Sequence, residues 1–73
     1  MFEVRITYPF DDGWESRNQM VRGVIKNFGI ETGSGASQGE RDHCIECETM
    51  EKATKLKASV EAFDQVKAVI REK

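Results

Sequence analysis

The first ten residues alternate between apolar and polar side chains. The apolar members of this alternation are Phe2, Val4, Ile6, Tyr8 and Phe10. A period of two predicts a β-strand with one buried face and one exposed face. Pro9 has no N–H group to donate to a neighbouring strand, so it marks the end of this strand or an edge position.

A turn and a helix are expected after this strand. Residues 11–13 (Asp-Asp-Gly) are typical of a turn. Two capping boxes fit the start of the helix: Asp12 with Glu15, or Ser16 with Gln19. Helical spacing is then shown by Trp14, Met20, Val21, Val24, Ile25 and Phe28. Gly29 is the expected left-handed residue that ends the helix.

The middle of the chain predicts a β-hairpin. The first strand, Ile30–Ser37, is rich in small residues, and its glycines suit a bulge or an irregular edge. Gln38-Gly39 is the turn signal before a second strand over residues 40–48. In that strand His43, Ile45 and Cys47 face one way, and Asp42, Cys44, Glu46 and Glu48 face the other.

The last third of the chain predicts one helix over residues 50–72. Thr49 is its expected N-cap residue. Apolar residues recur at helical spacing from Met50 to Ile70. Oppositely charged residues four positions apart support the beginning of this helix.

These elements predict a single α+β domain over residues 1–73 with the order β-α-β-β-α. A right-handed crossover puts both helices on one face of a three-stranded sheet. This arrangement resembles the ferredoxin-like split β-α-β architecture with its last strand missing. Without that strand, the first strand has an unpaired edge, which recruits partners unless it is blunted. The other face of the sheet is expected to be open and polar.

The amino-acid composition and the distribution of charge exclude several classes of function. The chain has 73 residues, of which 38% are hydrophobic and 33% are charged, with a net charge of −2. Residues 1–48 carry five basic and nine acidic side chains, and residues 49–73 carry six basic and four acidic ones. The sequence has no dense Lys/Arg stripe of the kind that binds nucleic acid and no run of about 20 apolar residues that would span a membrane. We also expect no signal peptide, because the first residues contain no apolar segment behind a basic one. Two cysteines in such a chain indicate reduced thiols and a cytoplasmic location.

The segment His43-Cys44-x-x-Cys47 is the most specific chemical motif in the sequence. Structural zinc needs four converging ligands, but positions three apart in a strand face opposite sides, so the two thiols diverge. A thioredoxin-like site would place the first cysteine at a helix N-terminus, and Cys44 lies before the helix. His43 has no partners that form a catalytic set. We therefore predict no metal, no cofactor and no catalytic residues.

Glycines are clustered between residues 33 and 39. Phosphate-binding loops connect a strand to a helix N-terminus, whereas this cluster connects two strands. It therefore predicts a flexible hairpin that a partner can reach.

The absence of catalytic sets favours a non-enzymatic protein-interaction module, such as a small adaptor or inhibitor. Its partner is another protein or a second copy of the chain, bound at the first-strand edge or the open sheet face. The surface expected to make this contact consists of Glu3, Arg5, Thr7, Trp14, Gly35, Arg41, Cys44 and Glu46. The alternative is a weak nucleic-acid-binding domain that uses the basic residues of the last helix, Lys52, Lys55, Lys57, Lys67 and Arg71. A thiol-based enzyme is the third hypothesis about function.

Overall fold

The first strand of the chain has the predicted half-buried pattern. The computed structural model describes residues 1–73, and strand β1 spans Phe2–Pro9. Val4, Ile6 and Tyr8 are buried, and the residues between them face the other side of the sheet. The period of two is therefore confirmed.

Helix α1 spans Trp14–Ile25 and begins without either predicted capping box. Its N-cap residue is Gly13, which has no side chain to accept a hydrogen bond. Asp11 Oδ1 instead accepts hydrogen bonds from the Gly13 N–H at 2.9 Å and from the Arg17 guanidinium at 2.6 Å. The hydrogen bond from Arg17 lowers the pKa of Asp11, so this carboxylate stays ionised beside the helix start.

Gly29 is required after α1 for a reason that differs from the predicted one. Its φ angle is not in the left-handed region. A Cβ atom at this position would instead collide with the Glu46 carbonyl oxygen and lie 2.9 Å from the Ile45 side chain. Glycine is needed because the backbone passes directly against a neighbouring strand.

The predicted hairpin is formed by strands β2 (Ile30–Ser37) and β3 (Glu40–Cys47). The connecting residues Gln38 and Gly39 have φ angles of 53° and 79°. Two successive positive φ angles are the requirement of a type I′ turn. A register shift in the first half of β2 confirms the bulge that its glycines predict.

Helix α2 spans Met50–Glu61 and begins at the predicted N-cap residue. The Thr49 hydroxyl accepts a hydrogen bond from the Lys52 N–H at 3.1 Å. The expected helix over residues 50–72 is therefore correct at its start and too long at its end.

Strand β4 occupies Lys67–Glu72, where a helix was expected. The chain reverses at Gln65, whose φ angle is 64°. The prediction of a three-stranded sheet that lacks the last strand is therefore wrong.

The sheet has four antiparallel strands in the order β2-β3-β1-β4. β1 is central because it pairs with β3 on one side and with β4 on the other. The predicted free edge on the first strand is therefore wrong, and the true edges are β2 and β4. With the order β-α-β-β-α-β, the topology is that of a complete ferredoxin-like arrangement.

Both helices cover one face of the sheet and pack against each other. The core between them consists of Val4, Ile6, Tyr8, Val21, Ile25, Ile45, Cys47, Ala53, Leu56, Val60, Val66 and Ala68. The other face, which we call the open face, is not covered by a helix. Neither helix combines the length and apolar character needed to cross a membrane.

Candidate functional site

Strand β2 is an edge strand, and no other strand pairs with its outer side. It contains one charged residue, Glu31, and no proline. In a two-residue hairpin the residues flanking the turn form a hydrogen-bonded pair, and hydrogen-bonded and non-hydrogen-bonded pairs then alternate. Ser34 and Ala36 are in the non-hydrogen-bonded pairs, so their backbone N–H and C=O groups point away from β3. Such a row of free groups can pair with a further strand.

Strand β4 is the other edge, and the outward backbone groups of its second residue, Ala68, already have partners. The Ala68 N–H donates to the Glu61 carboxylate at 3.2 Å, and the Ala68 carbonyl accepts from Lys57 Nζ at 2.8 Å. Lys57 and Glu61 also pair with each other at 3.0 Å along α2. The hydrogen bond from Lys57 lowers the pKa of Glu61, which favours its ionised form. Helix α2 therefore occupies the edge groups of β4 at Ala68, and no side chain occupies the edge groups of Ser34 and Ala36 in β2 in this way.

The helix side of β2 carries only small side chains near the hairpin turn. The side chains of Ser34 and Ala36 face this side, because their partners in β3 are His43 and Arg41. Both residues are exposed. We call the surface formed by Ser34, Ala36 and Arg41 the β2 edge surface.

Arg41 lies on the β2 edge surface and has no anionic partner. Each of the other arginines has a carboxylate within 3.7 Å, in the pairs Arg5–Asp42, Arg17–Asp11, Arg22–Glu31 and Arg71–Glu3. Nε of Arg41 is buried and has no hydrogen-bond acceptor. The guanidinium carbon lies 5.9 Å from the centre of the Trp14 ring, a cation–π distance. The half-buried Arg41 guanidinium therefore pairs with no carboxylate of the domain, but it contacts the Trp14 ring and, through a hydrogen bond, opposes the rise in the pKa of Tyr8 that burial causes.

A buried hydrogen-bonded cluster lies next to the β2 edge surface. The His43 side chain is fully buried, with Nε2 at 2.8 Å from the Tyr8 hydroxyl and Nδ1 at 3.3 Å from the Glu31 carboxylate. The Tyr8 hydroxyl also lies 3.1 Å from Asn18 Oδ1. Glu31 pairs with Arg22 at 3.7 Å. The cluster therefore connects α1 to three strands of the sheet.

The protonation state of His43 decides how this cluster is hydrogen-bonded. Tyr8 has one hydroxyl proton, so it cannot donate to both Asn18 and His43. In the charged form both ring nitrogens of His43 donate, and Tyr8 donates to Asn18. In the neutral form Nδ1–H donates to Glu31 and Nε2 accepts from Tyr8, so the Asn18 amide rotates to present its NH₂ group. Burial lowers the pKa of His43 despite the opposing effect of Glu31, which favours the neutral form.

The open face contains most of the sequence-predicted site residues. They are Glu3, Arg5, Thr7, Cys44 and Glu46. Opposite charges on this face pair with each other, Arg5 with Asp42 and Glu3 with Arg71, both at 3.0 Å. These charges are therefore already engaged within the domain and leave few free groups for a partner.

The remaining predicted site residues lie in two places. Trp14 and Arg41 come together on the helix side of the sheet, in the cation–π contact. Gly35 lies in β2 opposite Asp42 and faces the open side. The predicted residues are therefore divided between two faces and do not form one continuous surface.

The two cysteines are separated as the strand pattern predicts. Cys47 is buried in the core, and Cys44 is half-buried on the opposite face of β3. Burial raises the pKa of the Cys47 thiol, which disfavours the reactive thiolate. No three His, Cys, Asp or Glu side chains form a group that could hold a metal ion.

The basic residues of the nucleic-acid alternative do not share a helix. The structure divides them into Lys52, Lys55 and Lys57 on α2 and Lys67 and Arg71 on β4. Lys55 pairs with Glu51 at 3.1 Å, and Lys57 is engaged at the β4 edge. The continuous basic helix on which this alternative depends is therefore absent.

Several contacts of this region were not identified by the sequence patterns. The buried cluster joins Tyr8, Asn18 and His43, which lie far apart in the chain. No local spacing indicates such a contact. Lys57 and Glu61 do have the spacing of a helical ion pair, but their role at the β4 edge depends on a strand that the patterns did not predict.

The fold, but not the sequence, is similar to known proteins. No family model matches the chain, and no curated protein matches it. Among solved structures, the ACT domain of a GTP pyrophosphokinase from Chlorobium tepidum has a TM-score of 0.67 at 18% identity, covering 96% of this chain and 95% of that one. An uncharacterized NIPSNAP domain protein from Burkholderia xenovorans has a TM-score of 0.63 at 9% identity, covering 100% of this chain and 94% of that one. At these identities the likeness shows the α+β fold alone.

Proposed function

We propose that this protein is a non-enzymatic, cytoplasmic protein-interaction module that binds an extended segment of another protein as an additional strand beside β2. The proposal rests on the difference between the two edges of the sheet. Lys57 and Glu61 occupy the edge groups of Ala68 in β4, whereas Ser34 and Ala36 of β2 have no such partners. Strand addition to a free edge gives affinity through main-chain hydrogen bonds. The two unpaired thiols support the cytoplasmic location.

A different protein suits the β2 edge better than a second copy of this chain does. The only charged residue of β2 is Glu31, and it is already bound to His43 and Arg22. Pairing of β2 with its own copy would therefore supply no free carboxylate to Arg41. Self-association through β2 is one of the outcomes that the experiment distinguishes.

The experiment selects binders from a library of random, unstructured twelve-residue peptides displayed on phage, using the immobilised protein. The test variant is Ser34→Pro, which removes an outward N–H group and leaves the ladder to β3 intact. The matched control is Ser34→Thr, which keeps this N–H group. We expect selected peptides to bind the wild-type protein and Ser34→Thr but not Ser34→Pro. Binding should slow amide hydrogen exchange at Ser34 and Ala36.

Three results would contradict strand addition by another protein. Either no peptide is enriched, or enriched peptides protect amides outside β2, or light scattering shows a dimer that Ser34→Pro dissociates. The last result would assign the edge to a second copy. Circular dichroism confirms the fold of each variant, and Ala36→Pro replaces Ser34→Pro if the latter is unfolded.

A further inference from the structure

We propose that β4 is a latent edge for self-association, and that Lys57 and Glu61 of α2 keep it closed to the β4 strand of a second copy of this chain. We call these two side chains the β4 clamp. Their role does not depend on what binds β2, because β4 is the opposite edge of the sheet.

The β4 clamp binds both backbone groups that Ala68 directs away from the sheet. The Ala68 N–H donates to Glu61 Oε2 at 3.2 Å, and Lys57 Nζ donates to the Ala68 carbonyl at 2.8 Å. Lys57 Nζ also donates to the same carboxylate oxygen of Glu61 at 3.0 Å, so each side chain holds the other in place. A strand pairing at Ala68 would first have to break two charge-assisted hydrogen bonds.

The outward groups of β4 recur at every second residue. Hydrogen-bonded and non-hydrogen-bonded pairs alternate along an antiparallel ladder such as that between β1 and β4. Because Ala68 directs its N–H and C=O outward, Ile70 and Glu72 do so as well. A second β4 strand could therefore pair here in antiparallel orientation across a two-fold axis, the commonest symmetry of homodimers.

Side-chain character favours such a pairing at the middle of β4. Val69 is 67% exposed on the open face, and Ile70 is half-buried on the helix side. The strand contains neither proline nor glycine. An edge strand with these properties pairs readily with another strand unless something prevents it.

The arrangement of charge explains why a clamp at one residue is sufficient. Only two-fold registers centred at Arg71 or Glu72 leave Ala68 unpaired. In these registers each central residue lies opposite its own copy, and like charges directly opposite each other are destabilising. Registers centred at Val69 or Ile70 place apolar residues opposite each other, but they pair Ala68 with Ile70 or Glu72 of the second copy. The β4 clamp therefore blocks the registers that the charges leave open.

The test removes the β4 clamp with the double substitution Lys57→Ala and Glu61→Ala. The matched control is the double substitution Glu51→Ala and Lys55→Ala, which removes an ion pair of the same spacing on the same helix, at 3.1 Å. Both changes leave the net charge unaltered and introduce a good helix former. Sedimentation equilibrium from micromolar to millimolar protein measures the mass, and NMR measures amide hydrogen exchange at Ala68 in dilute protein.

We expect the clamp variant to form a dimer as its concentration rises, and the control variant to keep the wild-type mass. In dilute protein the Ala68 amide should exchange about tenfold faster in the clamp variant than in the wild type, because it loses the carboxylate that accepts its hydrogen bond. Adding Val69→Lys to the clamp variant should restore the wild-type mass, since the new lysine would oppose Arg71 or its own copy. Adding Ser34→Pro should leave the dimer intact.

An unchanged mass of the clamp variant at every concentration would overturn the proposal. So would a dimer that the control variant also forms, that persists with Val69→Lys, or that Ser34→Pro dissociates, because each of these would place the contact outside β4. The wild-type mass is the reference, so a wild-type dimer held by β2 would not hide an added contact at β4. If circular dichroism shows that the double variant is unfolded, Lys57→Ala and Glu61→Ala are measured singly, since each frees one backbone group of Ala68.

Discussion

The close approach of Gly29 to β3 gives a sharp prediction about stability. Replacing Gly29 by alanine places a methyl group against the Glu46 carbonyl and within 2.9 Å of the Ile45 side chain. Neither neighbour can move freely, because one is strand backbone and the other is a fully buried core residue. The chain has a matched control in Gly23, an exposed residue inside α1 where an added Cβ meets nothing within 4 Å.

The two substitutions should shift stability in opposite directions. Overpacking of a filled site costs about 1–3 kcal/mol, whereas glycine to alanine inside a helix gains about 0.5–1 kcal/mol. In a domain of this size 1 kcal/mol changes the melting temperature by about 4–8 °C. Gly29→Ala should therefore lower Tm by about 4 °C or more, and Gly23→Ala should raise it by about 2–8 °C.

Thermal unfolding followed by circular dichroism measures both variants against the wild-type protein. Backbone freedom alone would make both alanines stabilising, because each restricts the unfolded chain. A Tm for Gly29→Ala that equals or exceeds the wild-type value would therefore refute the close packing of the α1–β2 connection against β3.

Two further predictions concern the titratable side chains of β3. His43 is the only histidine in the chain, so its NMR signal reports one titration, which should have a pKa below the ordinary value near 6.5 because the ring is buried. Since the folded state binds fewer protons than the unfolded state between these two pKa values, stability should increase with pH through that window and lose this contribution below it. Asn18→Asp, which can only accept from Tyr8, should raise the pKa of His43, and a wild-type pKa at or above 6.5 would contradict the neutral arrangement. Cys44 should react with a thiol reagent much faster than Cys47, whose thiol is buried and has a raised pKa; equal rates in the native state would show that the two thiols do not lie on opposite faces of β3.

Most of the fold could be predicted because its signals are local. The alternation in β1, the Gln38-Gly39 turn and the Thr49 cap each involve a few neighbouring residues, and the structure confirms them. Strand β4 was missed because the apolar residues from Met50 to Ile70 fit helical spacing, although Ala68 and Ile70 alone would also fit a strand. The turn at Gln65, which separates α2 from β4, contains neither glycine nor proline. Pairing with β1 decides the structure of this segment, and such tertiary pairing cannot be read from local spacing.

The candidate site could be predicted only in part, for the same physical reason. Trp14 and Arg41 were identified singly as residues able to contact a partner, but their cation–π contact depends on how α1 lies across the sheet. The lack of an anionic partner for Arg41 is likewise a property of the folded chain. The edge was predicted on β1 because β4 was not expected; with β4 paired to β1, the edges of the sheet are β4 and β2.

The unequal edges of the sheet also determine what kind of assembly can form. If both edges were free, each added strand would leave another one available, and the domains could polymerise end to end, as in cross-β fibres. With Lys57 and Glu61 bound to the edge groups of Ala68, a strand added beside β4 would have to displace these contacts, so addition is favoured at β2. A partner strand that is itself protected on its far side therefore ends the process after one addition. The result is a complex of fixed stoichiometry, so the domain can expose a bare edge strand without becoming a seed for filaments.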